Sequence, residues 1–297
     1  MIKTRILIFG ATGMLGHKIV QILSRNKFLK LYGVNKNLKK RKLLKKNFDI
    51  NFIKLSKKIS KKNFSNFFKK NKFDYVINCL GIIKQKNYNK SKKEIFLINS
   101  KLPKIISDLS NFYKFKFIHF STDCVFSGNK GNYYENDVRD AKDLYGISKK
   151  KGEIANNKNT LVLRTSFIGH ELFDNKSLLN WFLYSSKQEV DGYDKAFFSG
   201  LTNLEISNFI NKIILKNKFH SGIFNLSGFK ISKYKLLKIL NKKYNSKKII
   251  YKNISFKIDR SLNNKKIKSK FKFKAKSWSL LVSQMKSDYK KYIGKLY

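Results

Sequence analysis

Lys3-Thr4-Arg5-Ile6-Leu7-Ile8-Phe9-Gly10-Ala11-Thr12-Gly13-Met14-Leu15-Gly16 joins a short apolar run to three glycines, and Ile19, Val20, Ile22 and Leu23 then recur at helical spacing. The order is strand, tight turn, helix. Glycines in such a turn allow positive φ and let the backbone approach a pyrophosphate, whose charge is stabilised by free N–H groups and the positive end of the helix dipole. A ligand-free turn would use the same glycines, but the place of this one after the first strand favours a dinucleotide. Gly10, Thr12, Gly13, Met14, Leu15 and Gly16 are the candidate contacts.

A second strand is predicted over Leu29–Val34. At its end, where NAD-specific folds place a carboxylate for the adenosine 2′-hydroxyl, stand Asn35 and Lys36, followed by Lys39, Lys40 and Arg41. A 2′-phosphate would meet cations there and no acid, so NADPH is the expected cofactor, with NADH left open. Tyr75–Cys79, Phe117–Phe120 and Leu161–Thr165 read as further buried strands, each after a helix-like stretch, which is the alternation of a parallel α/β sheet. Their carboxyl ends carry Cys79-Leu80-Gly81, Ser121-Thr122-Asp123 and Ser166-Phe167, and open α/β sheets bind ligands at that edge.

Tyr145 and Lys149 are four residues apart in Tyr145-Gly146-Ile147-Ser148-Lys149, a spacing that puts both on one helical face. A neighbouring ammonium is expected to lower the phenol's pKa from about 10 and make it a proton donor and acceptor near neutrality. The Thr122 hydroxyl could donate to a substrate carbonyl oxygen as charge develops, or cap a local turn.

The glycine run, Ser121-Thr122-Asp123-Cys124-Val125-Phe126-Ser127-Gly128, the segment Tyr145 to Glu153, and Leu163-Arg164-Thr165-Ser166 together resemble the extended short-chain dehydrogenase/reductase family, within it the dTDP-4-dehydrorhamnose reductase branch. The match runs to Asp259-Arg260-Ser261-Leu262. The resemblance implies a catalytic set of Thr122, Tyr145 and Lys149, with Lys149 also meeting the nicotinamide ribose, and a role for Asn99 in ordering the site through its helix. It implies reduction of the C4 ketone of a nucleotide-linked 4-keto-6-deoxyhexose, in deoxysugar and surface polysaccharide biosynthesis. Cys124 stands where these reductases usually have Tyr, Phe167 where Trp is common, and Lys58-Ile59 in the slot of an acid-apolar pair near the adenine. A related epimerase or dehydratase, for which Asp123 would serve as acid, and a noncatalytic cofactor-binding subunit are the alternatives.

The expected fold is a Rossmann-type doubly wound parallel sheet with helices on both faces, residues 1–165 holding the dinucleotide and 166–297 forming mainly a substrate lobe partly interleaved with the sheet. Asp123, Val125, Phe167, Trp181 and Phe198 join Thr122 as candidate substrate contacts, although such aromatics also serve as core. Ile206–Leu215 and Tyr234–Leu240 have helical spacing, Gly222–Leu226 resembles a returning strand, and Ser277–Tyr292 reads as a terminal helix anchored by Trp278, Leu281 and Met285.

A net charge of +48, from 66 basic and 18 acidic residues, would suit a nucleic-acid binder. The basic residues run from Lys3 to Lys295 with no single stripe, so they read as solvated surface, and a positive field would speed encounter with polyanionic cofactor and substrate. No stretch approaches the roughly 18 apolar residues of a membrane span. His119 and His170 lie outside any metal-ligand spacing, so no metal is expected. Cys79 and Cys124 suit a reducing compartment, and a cytoplasmic protein free of nucleic acid and membrane, with a nucleotide-sugar substrate and a homodimer left open, is the expectation.

Overall fold

The computed structural model describes residues 3–34, 37–55, 58–83, 90–173 and 176–293. Six strands alternate with helices through the first half: β1 (Thr4–Phe9), α1 (Gly16–Leu23), β2 (Leu29–Val34), α2 (Leu38–Asn47), β3 (Asn51–Phe52), α3 (Lys61–Lys70) and β4 (Tyr75–Asn78) come first. After them come α4 (Lys92–Phe96), a π-helical turn Leu97–Lys101, α5 (Leu102–Tyr113), β5 (Lys116–Thr122), α6 (Leu144–Lys151) and β6 (Thr160–Thr165). With the strand Gly222–Asn225 these form one seven-stranded, all-parallel sheet, ordered Gly222–Asn225, β6, β5, β4, β1, β2, β3. The expected Rossmann-type fold is the one observed.

Its strands are apolar on both faces because helices cover both. In β1, Ile6 and Ile8 enter the core beneath α1, while Leu7 and Phe9 enter a second core with Phe64, Phe67 and Phe68 of α3 and Ile105, Ile106 and Leu109 of α5. The same two-residue period sends Tyr75 and Ile77 to the first core and Val76 to the second. Strand order reverses between β1 and β4, so their carboxyl ends splay apart and leave a crevice.

The second half contributes the strand beyond β6 and small sheets of its own. Glu189–Tyr193 pairs in parallel with Ile249–Asn253, and Ala196–Phe198 lies between Ile231–Ser232 and Ile258–Asp259. Helices Asn203–Leu215 and Lys233–Tyr244 extend the predicted segments by a few residues, whereas the predicted terminal helix is α-helical only over Trp278–Asp288 and continues as a π-helical turn, Tyr289–Ile293. Trp278, Leu281 and Met285 are buried as its anchors. Among the described residues no helix is long and apolar enough to cross a membrane.

Candidate active site

The glycine turn sits at the mouth of the crevice. Gly10 has φ +71°, and a Cβ there would press on the Cys79 carbonyl carbon at 3.0 Å, so glycine is what lets β1 turn beside the end of β4. A Cβ on Gly16 would lie 2.0 Å from the Gly10 carbonyl oxygen, which makes the closeness of helix and turn dependent on glycine. Gly13 is exposed at the tip. Its N–H donates to Gly10 O at 2.9 Å, and His17 donates to Gly13 O from both its backbone N and Nδ1, each at 2.9 Å. Asn203, far along the chain, donates to Met14 O at 2.9 Å. An open, Cβ-free tip leading into a helix N-terminus fits a dinucleotide pyrophosphate.

Cys79, Leu80 and Gly81 continue β4 on the opposite wall. Cys79 N donates to Phe9 O at 3.0 Å, and burial pushes its thiol pKa up. Asn99, fully buried in the π-helical turn, accepts from Ile82 N at 2.9 Å and donates to Ile82 O and to Ser148 Oγ, both at 3.0 Å. It thereby ties the loop after β4 to α6. Short π segments often mark functional positions, and this one directs Asn99 inward. Gly152, at the end of α6, permits the same contact, since a Cβ would meet Asn99 O at 2.0 Å.

Of the residues expected at the adenosine end, Asn35 and Lys36 lie outside the described residues. Asn37 caps α2 by accepting from Lys40 N at 3.0 Å. The Lys40 ammonium lies 4.5 Å from the Phe173 ring centre, and the Arg41 guanidinium 5.3 Å from that of Phe52. Ile59 packs against the second core.

Thr122 ends β5 and Tyr145 lies in the first turn of α6, which is capped by Asp143 accepting from Gly146 N at 3.0 Å. Gly146 is required there, because a Cβ would lie 2.2 Å from Cys124 O. Burial raises the Tyr145 pKa above its ordinary 10, Cys124, Asp123 and Asp143 push the same way, and the adjacent Thr122 hydroxyl pulls against them. This corrects the expected lowering by Lys149: loss of water outweighs the partners that face the phenol, and the Lys149 ammonium is engaged elsewhere. Lys149 is buried and donates to Phe120 O at 2.6 Å, and burial lowers its pKa to about 8 against the pull of Glu153 and Cys79.

The candidate substrate contacts divide. Asp123 is buried, accepts from Thr122 Oγ1 at 3.2 Å, and is raised in pKa by burial against the charges of Arg260 and Lys233. Phe167 is half-buried in a two-residue strand paired with Leu201–Thr202. Trp181 is on a helix, Leu178–Tyr184, and 36% exposed. Two of the candidates are enclosed by protein. Val125 is fully buried with Phe126, Tyr133 and Leu262, because the turn after β5 needs its own apolar anchor. Phe198 packs on Trp278 with centroids 5.3 Å apart, and the Lys233 ammonium stands 3.9 Å from its ring centre, so it serves the lobe's core and props a cation.

Lys233 and Arg260 were not singled out from sequence as site residues. Both act electrostatically on Asp123, and Arg260 donates to Phe126 O at 3.0 Å and to Cys124 Sγ at 3.7 Å. In a chain with 66 basic residues, nothing in the local sequence distinguishes Lys233, and Arg260, although it lies in the Asp259-Arg260-Ser261-Leu262 segment, has no sequence neighbour that points to Asp123. His119 and His170 are buried and held neutral by loss of water, His170 with a pKa of about 3. Among the described residues no group of three His, Cys, Asp or Glu side chains could hold a metal.

Solved structures share this architecture. A hypothetical dTDP-4-dehydrorhamnose reductase from Sulfolobus tokodaii is 22% identical, with 90% of this chain and 94% of that one covered at a TM-score of 0.72. A dTDP-4-dehydrorhamnose reductase from Bacillus anthracis in complex with NADP is 17% identical over 97% and 100% of the two chains, TM-score 0.75. The Bordetella bronchiseptica enzyme WbmG in complex with NAD is 16% identical over 98% and 95%, TM-score 0.79. No curated protein sequence matches significantly. The family model of the RmlD substrate binding domain matches residues 4–291, nearly the whole chain, and the chain belongs to that family.

Proposed function

We propose that this protein is a nicotinamide-dependent reductase of the C4 ketone of a nucleotide-linked 4-keto-6-deoxy sugar, using NADPH, in deoxysugar supply for surface polysaccharides. The observation that carries it is that Thr122 of β5 meets Tyr145 of α6, while Lys149, one turn further along, is fastened to Phe120 O and acts on Cys79, whose carbonyl lies against Gly10 of the glycine turn. The bound dinucleotide would supply hydride to the ketone carbon. Tyr145, kept protonated at neutral pH by its raised pKa, would give its proton to the ketone oxygen and complete the alcohol. Thr122 would donate to the same oxygen as charge develops on it. Lys149, charged below about pH 8, would place a positive charge behind the phenol and reach the ribose.

For NADPH the support is the missing acid after β2 and the cations of α2; the Bacillus anthracis reductase holds NADP, while WbmG holds NAD. Lys233 and Arg260, on the lobe side of Thr122, suit the substrate's diphosphate. A dehydratase has one specific observation in its favour: Asp123 is buried beside Thr122, and burial raises its pKa, the direction that suits a carboxyl serving as an acid. The test mixes the protein with NADPH and a panel of 4-keto-6-deoxy sugar nucleotides while cofactor absorbance is followed. Net oxidation is expected. Product formed without oxidation would replace the reductase by an epimerase or dehydratase, and absence of both would leave only the fold.

A further inference from the structure

Glu153 is an enclosed carboxylate near the site, its side chain 0% exposed. It lies just past α6, after Gly152 and four residues beyond Lys149. Arg164 of β6, itself 1% exposed, grips it at both oxygens, Nε to Oε1 at 2.8 Å and Nη2 to Oε2 at 2.9 Å. Ser121, the neighbour of Thr122, donates to Oε1 at 2.6 Å, and Arg139 donates to Oε2 at 2.9 Å from a side chain 34% exposed. One carboxylate therefore joins α6, β5, β6 and the loop carrying Arg139. Burying an ion is costly unless it is paired, and an apolar plug would fill the same space at less risk to stability, so a buried charge here calls for a reason beyond packing.

The charge acts through space on Lys149. Around that ammonium stand Glu153 just past the end of α6, Cys79 after β4, and His119 and the Phe120 carbonyl from β5. His119 is neutral and the Cys79 thiol protonated, both because burial disfavours their charged forms. Glu153 is left as the one ionised acid acting on Lys149 among the described residues. Its own burial would push its pKa up, but the hydrogen bonds and charges of Arg164, Ser121 and Arg139 more than reverse that.

We propose that Glu153 is a positioning residue of this site: its carboxylate, fastened by Arg164 and Ser121, keeps the Lys149 ammonium charged and in place while fixing the end of β5, and so Thr122, against α6. This inference rests on the assignment of Tyr145 and Lys149 above, but it is tested on Lys149 itself. The full chain labelled with ¹³Cε-lysine is titrated by NMR, and the Lys149 signal is identified by its loss in Lys149→Met. Glu153→Gln should lower the Lys149 midpoint by about one unit or more, the effect of removing a nearby opposite charge. Arg139→Gln, at the rim, should raise it by releasing the carboxylate from one neutralising partner, and Glu153→Asp should restore most of the wild-type value. With NADPH and substrate, the alkaline limb of kcat/KM should move in step. An unchanged midpoint in Arg139→Gln, which stays assessable if Glu153→Gln does not fold, or in folded Glu153→Gln, would overturn the proposal. A chain that reduces no sugar nucleotide yet shows the shifts would sink the reductase assignment and leave Glu153's role standing.

Discussion

The ammonium of Lys149 donates to the main-chain carbonyl of Phe120 at 2.6 Å, two residues before Thr122. A helix residue is thus fastened to the strand that delivers the hydroxyl, and Tyr145, one turn earlier on α6, is placed from the same anchor. The bond also occupies the ammonium, which is why the phenol answers to burial more than to the lysine.

Removal of the phenolic proton should be the most damaging small change. Tyr145→Phe is expected to lower kcat about 10²-fold or more while dinucleotide affinity, read by fluorescence titration, stays within a fewfold. Thr122→Val should act in the same direction.

The alkaline limb of the pH profile should belong to Lys149. Its pKa of about 8 means the ammonium is present below that pH and lost above it, whereas Tyr145 stays protonated through the same range because its pKa is raised. kcat/KM should therefore be flat near neutrality and fall as pH rises through about 8. A limb unaltered by Lys149→Arg, which keeps a permanent charge, would assign it to another group.

Gly16→Ala should separate fold from cofactor. Its Cβ would sit 2.0 Å from Gly10 O, a backbone atom that cannot step aside, so the turn must open. A cost of about 1–3 kcal/mol is expected for such overpacking, together with at least a tenfold loss of dinucleotide affinity. Thermal unfolding and calorimetric titration measure the two.

His17 and His170 should make the protein acid-sensitive. Each has a folded pKa of about 3 against 6.5 for the free side chain, mainly because burial disfavours the imidazolium. The unfolded chain then binds more protons between about pH 6.5 and 3, so stability falls as pH falls through that window. Melting temperatures from pH 7 to 4 should decline, and less steeply in His170→Phe.

Lys233→Gln and Arg260→Gln should raise KM for the sugar nucleotide about tenfold each with smaller effects on kcat, as expected when binding common to ground and transition states is removed. Ionic strength must be held constant, since a chain of +48 attracts any polyanion.

Much of this was legible in the residues because it depends on neighbours in the chain. The glycines follow a strand and open a helix, the i, i+4 spacing sets a phenol and an amine on one face, and apolar runs bounded by helices imply a parallel sheet. Phe198 and Val125 were not legible, since whether an apolar side chain faces a ligand or a core depends on what packs over it. Lys233 was hidden among equivalent cations, and Arg260 and Glu153 lay inside recognised motifs without a visible partner.

Local pattern therefore determined the strands, the turn and the helix carrying Tyr145 and Lys149, because φ/ψ preference and side-chain periodicity act over a few residues. Only the tertiary structure decided which charges meet: Lys149 with Phe120 O, Glu153 with Arg164 and Ser121, Asp123 with Arg260 and Lys233. Coulomb and hydrogen-bond energies depend on distance through space and on the exclusion of water, and neither quantity is written in the order of the chain.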